Sequence, residues 1–99
     1  MKKGYKEYGI QLLGVDKPTI KIVEGKEVFV EGFRCFQHDD PNNSAIKVVS
    51  EYSTGIKVGA AGTYKEAAEN AADRINTAGL STTRKLIKDG INRYGVLNL

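Results

Sequence analysis

An enzyme on a chain this short would need a nucleophile, a base and an orienting group, and few residues could supply them. The one cysteine, Cys35, and the one histidine, His38, stand three apart in a run of strand-like composition. Side chains alternate along a strand, so this spacing sends the two to opposite faces and no thiolate–imidazolium pair is expected. Cys35, next but one to Phe33, is assigned to the core, where free cysteine usually packs. His38 precedes Asp39 and Asp40, but one imidazole and two adjacent carboxylates fall short of a zinc ligand set. The segment also lacks the spaced oxygens and glycine of a calcium loop. No catalytic residue, no metal and no cofactor is therefore expected, and the chain reads as a non-enzyme.

Binding chemistry has more candidates. Gly55, Gly59 and Gly62 form no phosphate cradle, because no lysine–hydroxyl pair follows in the Walker order and the dinucleotide fingerprint is absent. Gly59-Ala60-Ala61-Gly62 does lead into a helix start, where backbone amides receive anions, so Gly62, Thr63 and Lys65 are a candidate anion site. Near the C-terminus Arg84 and Lys88 lie one helical turn apart, with Lys85 beside them and Arg93 further along. Together they make a cationic ridge beside Leu86, Ile87 and Ile91, suited to an acidic protein surface or to phosphates. The polar turn residues Asp39, Asp40, Asn42 and Asn43 complete the expected partner-binding set. Tyr5, Tyr8, Tyr52 and Tyr94 are candidate contact anchors, some of them destined for the core.

The elements that must position these residues can be read from length and periodicity. Ninety-nine residues with 40% hydrophobic and 27% charged content fit one globular domain and are too apolar for a disordered chain. No apolar run approaches the ~18 residues of a membrane span, and no signal core follows the basic start, so a cytoplasmic protein is expected. The formal charge of +3 is uneven: the ends are basic and the middle is mildly acidic. Five extended pieces are expected over residues 8–15, 19–23, 26–38, 45–50 and 55–58, rich in Ile, Val, Phe and Tyr. Glu24-Gly25 reads as a tight hairpin turn between Ile20/Ile22 and Val28/Val30. The apolar positions move from even to odd after Val30, which places a bulge or bend at Glu31-Gly32. His38 to Ser44 reads as a surface loop, and Tyr52 to Gly55 as the turn pairing Ile46/Val48 with Ile56/Val58.

At Gly62 the period becomes helical. Thr63 and Glu66 form a capping box before Tyr64, Ala67, Ala68, Ala71, Ala72 and Ile75, and Gly79 is the stop. Ser81 and Thr82 are candidate caps of a second helix with Leu86, Ile87, Ile91 and Tyr94 on its apolar face and Gly95 at its end. The expected fold is α+β: a single domain with an antiparallel sheet of four or five strands over about residues 8–58, packed by helices at 63–78 and 81–94.

The run Ile46-Lys47-Val48-Val49-Ser50-Glu51, then Thr54-Gly55-Ile56-Lys57-Val58, then Gly62 to Ala71 resembles the β-β-α unit of HicB-type antitoxins. Its last part also resembles the final strand and helix of double-stranded-RNA-binding domains. The antitoxin resemblance implies a C-terminal DNA-binding module for which this sequence has no room. The RNA-binding resemblance implies a lysine cluster at the helix start, of which only Lys65 is present, Tyr64 and Ala68 standing at two other positions. In size and texture the sequence is similar to small accessory proteins of Gram-positive phages and mobile elements, some of which inhibit host defence, anti-CRISPR proteins among them. That similarity implies a binding protein acting on a host protein such as a defence nuclease. Nucleic-acid binding or an antitoxin-like regulatory role is the alternative, and a small-ligand sponge a further one. An uncovered sheet edge or the alanine face offers a route to a homodimer.

Overall fold

The computed structural model describes residues 3–12 and 19–99. Five strands, β1 (Tyr5–Leu12), β2 (Thr19–Val30), β3 (Phe33–Asp40), β4 (Asn43–Glu51) and β5 (Lys57–Ala61), form one antiparallel sheet in chain order. Two helices, α1 (Tyr64–Ala78) and α2 (Leu80–Tyr94), follow. The α+β class with C-terminal helices is as expected. Lys2 and positions 13–15 of the expected first strand lie outside the described residues.

Turn placement differs from expectation in three places, each for a physical reason. Glu24-Gly25 is not a turn but the middle of β2, which is twelve residues long. The alternation Ile20, Ile22, Val28, Val30 keeps one parity throughout, as a single continuous strand must. Gly25 is instead a corner, opposite Lys6 of β1 on one side and His38 of β3 on the other. A Cβ there would lie 2.7 Å from the Gln37 carbonyl oxygen, so only glycine allows the strands this close.

The change of parity at Glu31-Gly32 is the real reversal. Both residues have positive φ, 51° and 83°, and Val30 pairs with Phe33 across them, giving a two-residue hairpin where a bulge or bend was expected. The expected His38–Ser44 loop shrinks to a turn at Pro41-Asn42, because β3 runs on to Asp40 and β4 begins at Asn43. The Tyr52–Gly55 turn is where it was expected, but its return strand starts at Lys57. Val48 therefore faces Ala60, not Ile56 or Val58, and the register shifts between Val49 and Ser50.

The sheet buries both faces. On one, Val30, Cys35 and Val49 pack against Ala67, Ala71 and Ile75 of α1. The alanine stripe lets the helix come close: a Cβ on Gly59 would fall 2.5 Å from the Ala67 carbonyl oxygen. On the other, Tyr8, Ile10, Phe36 and Tyr52 form a second cluster, with Tyr8 stacked on Phe36 at 4.3 Å between ring centres. Tyr8 and Tyr52 are thus core residues, not contact anchors. The corner at Gly25 makes this second cluster possible by swinging β1 across the back of β3 and β4. The curled edges meet where the Gln11 amide donates to the Gly55 carbonyl, 3.0 Å away.

The C-terminal tail seals that seam. The Asn98 side chain accepts from the Gly9 amide at 2.8 Å and donates to the carbonyls of Gly9 and Tyr52 at 3.0 and 2.8 Å. Leu97 covers Gly9, where an added Cβ would lie 2.9 Å from its Cγ.

The helix starts follow from their caps. Thr63 Oγ1 accepts from the Glu66 amide at 3.1 Å, as expected of the capping box, while the Glu66 carboxylate meets the Thr63 hydroxyl in place of its amide. Gly79 has positive φ and donates to the Ile75 carbonyl. It is also the residue before α2, which begins at Leu80 with no side-chain cap, so Ser81 and Thr82 sit inside its first turn. Thr83 alone reaches back, its hydroxyl donating to the Gly79 carbonyl at 2.9 Å. Gly95 ends α2 as expected.

Candidate functional site

Helix α2 is the most open element of the fold. Gly90 is its one buried residue, pressed against the β4–β5 turn, where an added Cβ would meet Thr54 Cγ2 at 3.2 Å. Ile87 and Ile91 are half-buried, as expected of its apolar face. Leu86 and Tyr94 are not: they are 60% and 43% exposed. The helix puts its narrow side inward, and a slot of about 110 Å³ lined by Thr54, Ile56, Ile75, Leu86 and Ile87 remains beneath it.

All four expected cations are exposed. Among the described residues the ion pairs are Arg34–Glu27 and Lys47–Asp39, so none of the four is in an ion pair, although Asp89 stands one turn from both Lys85 and Arg93. At 100° per residue Arg84, Lys88 and Lys85 span about 100° of the helix surface, while Arg93 lies about 140° from Lys88 and beside Leu86. The ridge is therefore three residues wide, with Arg93 on the opposite flank, 6.0 Å from the Tyr94 ring centre.

The expected turn residues do not join this surface. Asp39, Asp40, Asn42 and Asn43 precede β4 or open it, whereas α2 touches the turn that follows β4, so the two groups stand at opposite ends of one strand. Most of the turn polar groups also have partners within the chain. Asp39 accepts from Lys47 Nζ at 2.9 Å and from the Tyr64 hydroxyl; Asp40 and Asn43 accept from the amides of Asn42 and Ala45. The expected anion site at Gly62, Thr63 and Lys65 is served from within, because the Glu66 carboxylate occupies the helix start.

Of the expected routes to a homodimer, the alanine face and parts of the β1 and β5 margins are occupied, while positions 19–24 of β2 pair only with β1 among the described residues. On β1 the outward groups of Gly9 and Gln11 bond to Asn98 and Gly55. On β5 the Ala60 and Lys57 carbonyls accept from Asn70 and Arg74 of α1, at 3.0 and 3.5 Å. The alanine face lies against the sheet.

A second feature has no counterpart in the sequence reading. Beside the Gln11–Gly55 bond a cleft of about 350 Å³ opens between the two sheet edges, with His38 and Ser50 on its floor. His38 is 1% exposed and does not lie in a surface loop. Its Nδ1 sits 2.8 Å from the Asp39 carbonyl and must donate there, which leaves Nε2 to accept from Ser50 Oγ at 2.9 Å. Cys35 is on the opposite face, as its spacing requires, and burial with the nearby Glu51 charge pushes its thiol up to about 12, far from a nucleophile at neutral pH.

Burial also holds the His38 imidazole below its usual value of 6.5, against the opposing pull of the Asp39 carbonyl and the Asp40 and Asp39 charges. Above 6.5 both folded and unfolded chains carry it neutral. As pH falls below that point the unfolded chain takes a proton the folded chain resists, so stability declines until the depressed folded value is passed. The melting temperature of the wild type is expected to fall more steeply from about pH 7 to about pH 5 than that of His38→Gln. Parallel slopes would show that His38 titrates alike in both states.

Gln11, Ser50, Lys57 and Arg74 of the cleft went unnoticed in the sequence. Ser50 shares the parity of Val48, which marks its face, but nothing local pairs Gln11 with residues some forty positions later.

The geometry defines an α+β domain in which a curled five-stranded sheet is closed by its own tail and carries an open cationic helix. The strands β4 and β5 and the helix α1 follow one another in the chain. Among the described residues no helix is long and apolar enough to cross a membrane. Comparison with protein-family models, curated proteins and solved structures returned no match.

Proposed function

We propose that the chain is a non-enzymatic binding protein that acts in the cytoplasm by covering an acidic surface of a protein partner with α2. One observation carries this: Arg84, Lys85 and Lys88 share a flank of a helix whose only buried residue is Gly90, and none of them is in an ion pair among the described residues. A cation pays little desolvation penalty in the open and gains most on meeting a partner's carboxylates, which favours fast, charge-steered association. The half-buried Ile87 and Ile91 supply apolar area beside the charges, and Leu86 with Arg93 extends the contact on the far flank.

The partner class is suggested by the similarity in size and texture to small mobile-element accessory proteins. A host-defence nuclease holds its catalytic metals with clustered carboxylates, an acidic surface that a cationic helix complements. Capture from a host lysate with the wild type, and with Arg84, Lys85 and Lys88 all changed to Glu, tests the reading. A partner retained by the wild type and lost by the variant is expected; identical partner profiles overturn it. Titration with duplex DNA, duplex RNA and single strands at ~50 mM salt separates the nucleic-acid and antitoxin-like alternatives, which require binding with a log–log salt slope of about −0.9 per phosphate contact.

A further inference from the structure

The long strand β2 leaves part of itself unpaired. Its residues Gly25 to Val30 lie between β1 and β3, but residues 19–24 pair only with β1 among the described residues. That stretch therefore presents backbone N–H and C=O groups along an open margin, the arrangement on which a further strand adds. Its side chains favour the same event, since Ile20 and Ile22 point to one face and are 58% and 61% exposed. Ile22 stands opposite Gly9, and Leu97 covers Gly9 on that same face, so the apolar strip continues into the tail.

The end of this margin is acidic. Where β2 and β3 part, Glu24, Asp39 and Asp40 line one notch with Tyr5, Pro41 and Tyr64. Lys47 pairs with Asp39, but Glu24 and Asp40 are in no ion pair among the described residues. A strand entering beside β2 passes these carboxylates, and one that brings a cation gains there.

The margin's own sequence meets both demands. Two copies of β2 pair antiparallel about a two-fold axis perpendicular to the sheet, and opposed residues must share a face, so the axis passes through a residue and not between two. Within 19–24 only an axis through Lys21 or Ile22 pairs five of the six positions. The first sets Lys21 against Lys21, like charges directly opposite. The second sets Ile22 against Ile22 with each Ile20 diagonal to the other copy's Ile22, joining the isoleucines of both copies in one patch. It also brings the second copy's Lys21 opposite Val23, beside Glu24 at the mouth of the acidic notch. We propose that this margin is the interface of a two-fold homodimer, the copies sharing one sheet through antiparallel β2–β2 pairing centred on Ile22. The assignment rests on β2 and not on the α2 charges, so it stands or falls apart from the partner-binding reading.

Light scattering on the wild-type chain is expected to show the mass doubling as concentration rises to about 500 µM. Ile22→Lys changes an exposed residue and sets two cations face to face at the axis. It should keep a folded amide spectrum and stay a single chain throughout, and Lys21→Glu should weaken the dimer at least tenfold by facing Glu24 with a like charge. Oxidative crosslinking reads the register. Ile22→Cys should link two chains through a disulfide, whereas the two side chains at position 20 are about 13 Å apart, so Ile20→Cys should link at least tenfold more slowly. Cys35 is buried and takes no part. A single-chain mass for the wild type at the highest concentration, a dimer that survives Ile22→Lys, or equal crosslinking from positions 20 and 22 overturns the assignment.

Discussion

Gly59→Ala is expected to destabilise the fold by about 3 kcal/mol, the upper part of the range for overpacking a tight interface. The new methyl would lie 2.5 Å from the Ala67 carbonyl oxygen, 2.6 Å from the Ala71 nitrogen and 3.0 Å from the Ala71 Cα. All three are backbone atoms of α1, so no rotamer change relieves the contact and the helix must move off the sheet. Its buried side is mostly alanine, so retreat loosens Cys35, Val49 and Ile75 with little new contact to compensate. In a domain this size the loss corresponds to a fall in melting temperature of roughly 15 °C. Gly62→Ala is the control: nothing lies within 4 Å of its added methyl and its φ is not positive. It should stay within ~0.5 kcal/mol of wild type. Similar melting of the two variants would show that α1 does not sit on β5 as closely as described.

The second large effect is expected at Asn98. Changing it to alanine removes three hydrogen bonds at once and leaves the Gly9 amide, the Gly9 carbonyl and the Tyr52 carbonyl short of a partner in a part-buried place. Unmet backbone groups of this kind cost about 1–3 kcal/mol each when fully buried; with water able to reach the loosened tail, about 2 kcal/mol in total is expected. Urea unfolding measures the loss, and hydrogen exchange locates it. The Gly9 amide should lose protection, while the Ala67 and Ala71 amides of α1 lose only what the global change requires. Unchanged exchange at Gly9 would mean that the tail does not hold the seam.

How much of this could be read in the sequence depends on how local each signal is. The Thr63 hydroxyl cap on the Glu66 amide, the alanine stripe and the opposed faces of Cys35 and His38 are matters of a few residues, and each stands as expected. The turns misled where glycine was taken as punctuation. Gly25 lies between two apolar pairs of one parity, and that unbroken parity, not the glycine, was the better guide. Glu31 at φ 51° is an uncommon first residue for a two-residue hairpin, so the true reversal carried only Gly32 as its mark. The charges of α2 were legible as exposed. What could not be read was that Leu86 faces solvent, because a helical wheel shows which residues share a side but not how narrow a side the neighbour accepts. The cleft was out of reach for a related reason: Gln11, His38, Ser50 and Lys57 meet only because the sheet curls, and curl is set by the corner at Gly25 and the seam at Gly55.

The margins of the sheet have a consequence for how the chain behaves in company. An exposed strand margin is a template on which identical chains stack into fibrils. Here the margin groups of β1 at Gly9 and Gln11 are taken by the tail and the β4–β5 turn, and two carbonyls of β5 by Asn70 and Arg74 of α1. The margin left open is that of β2 at positions 19–24, which pairs only with β1 among the described residues and carries the exposed Ile20 and Ile22, so crowding would act there first.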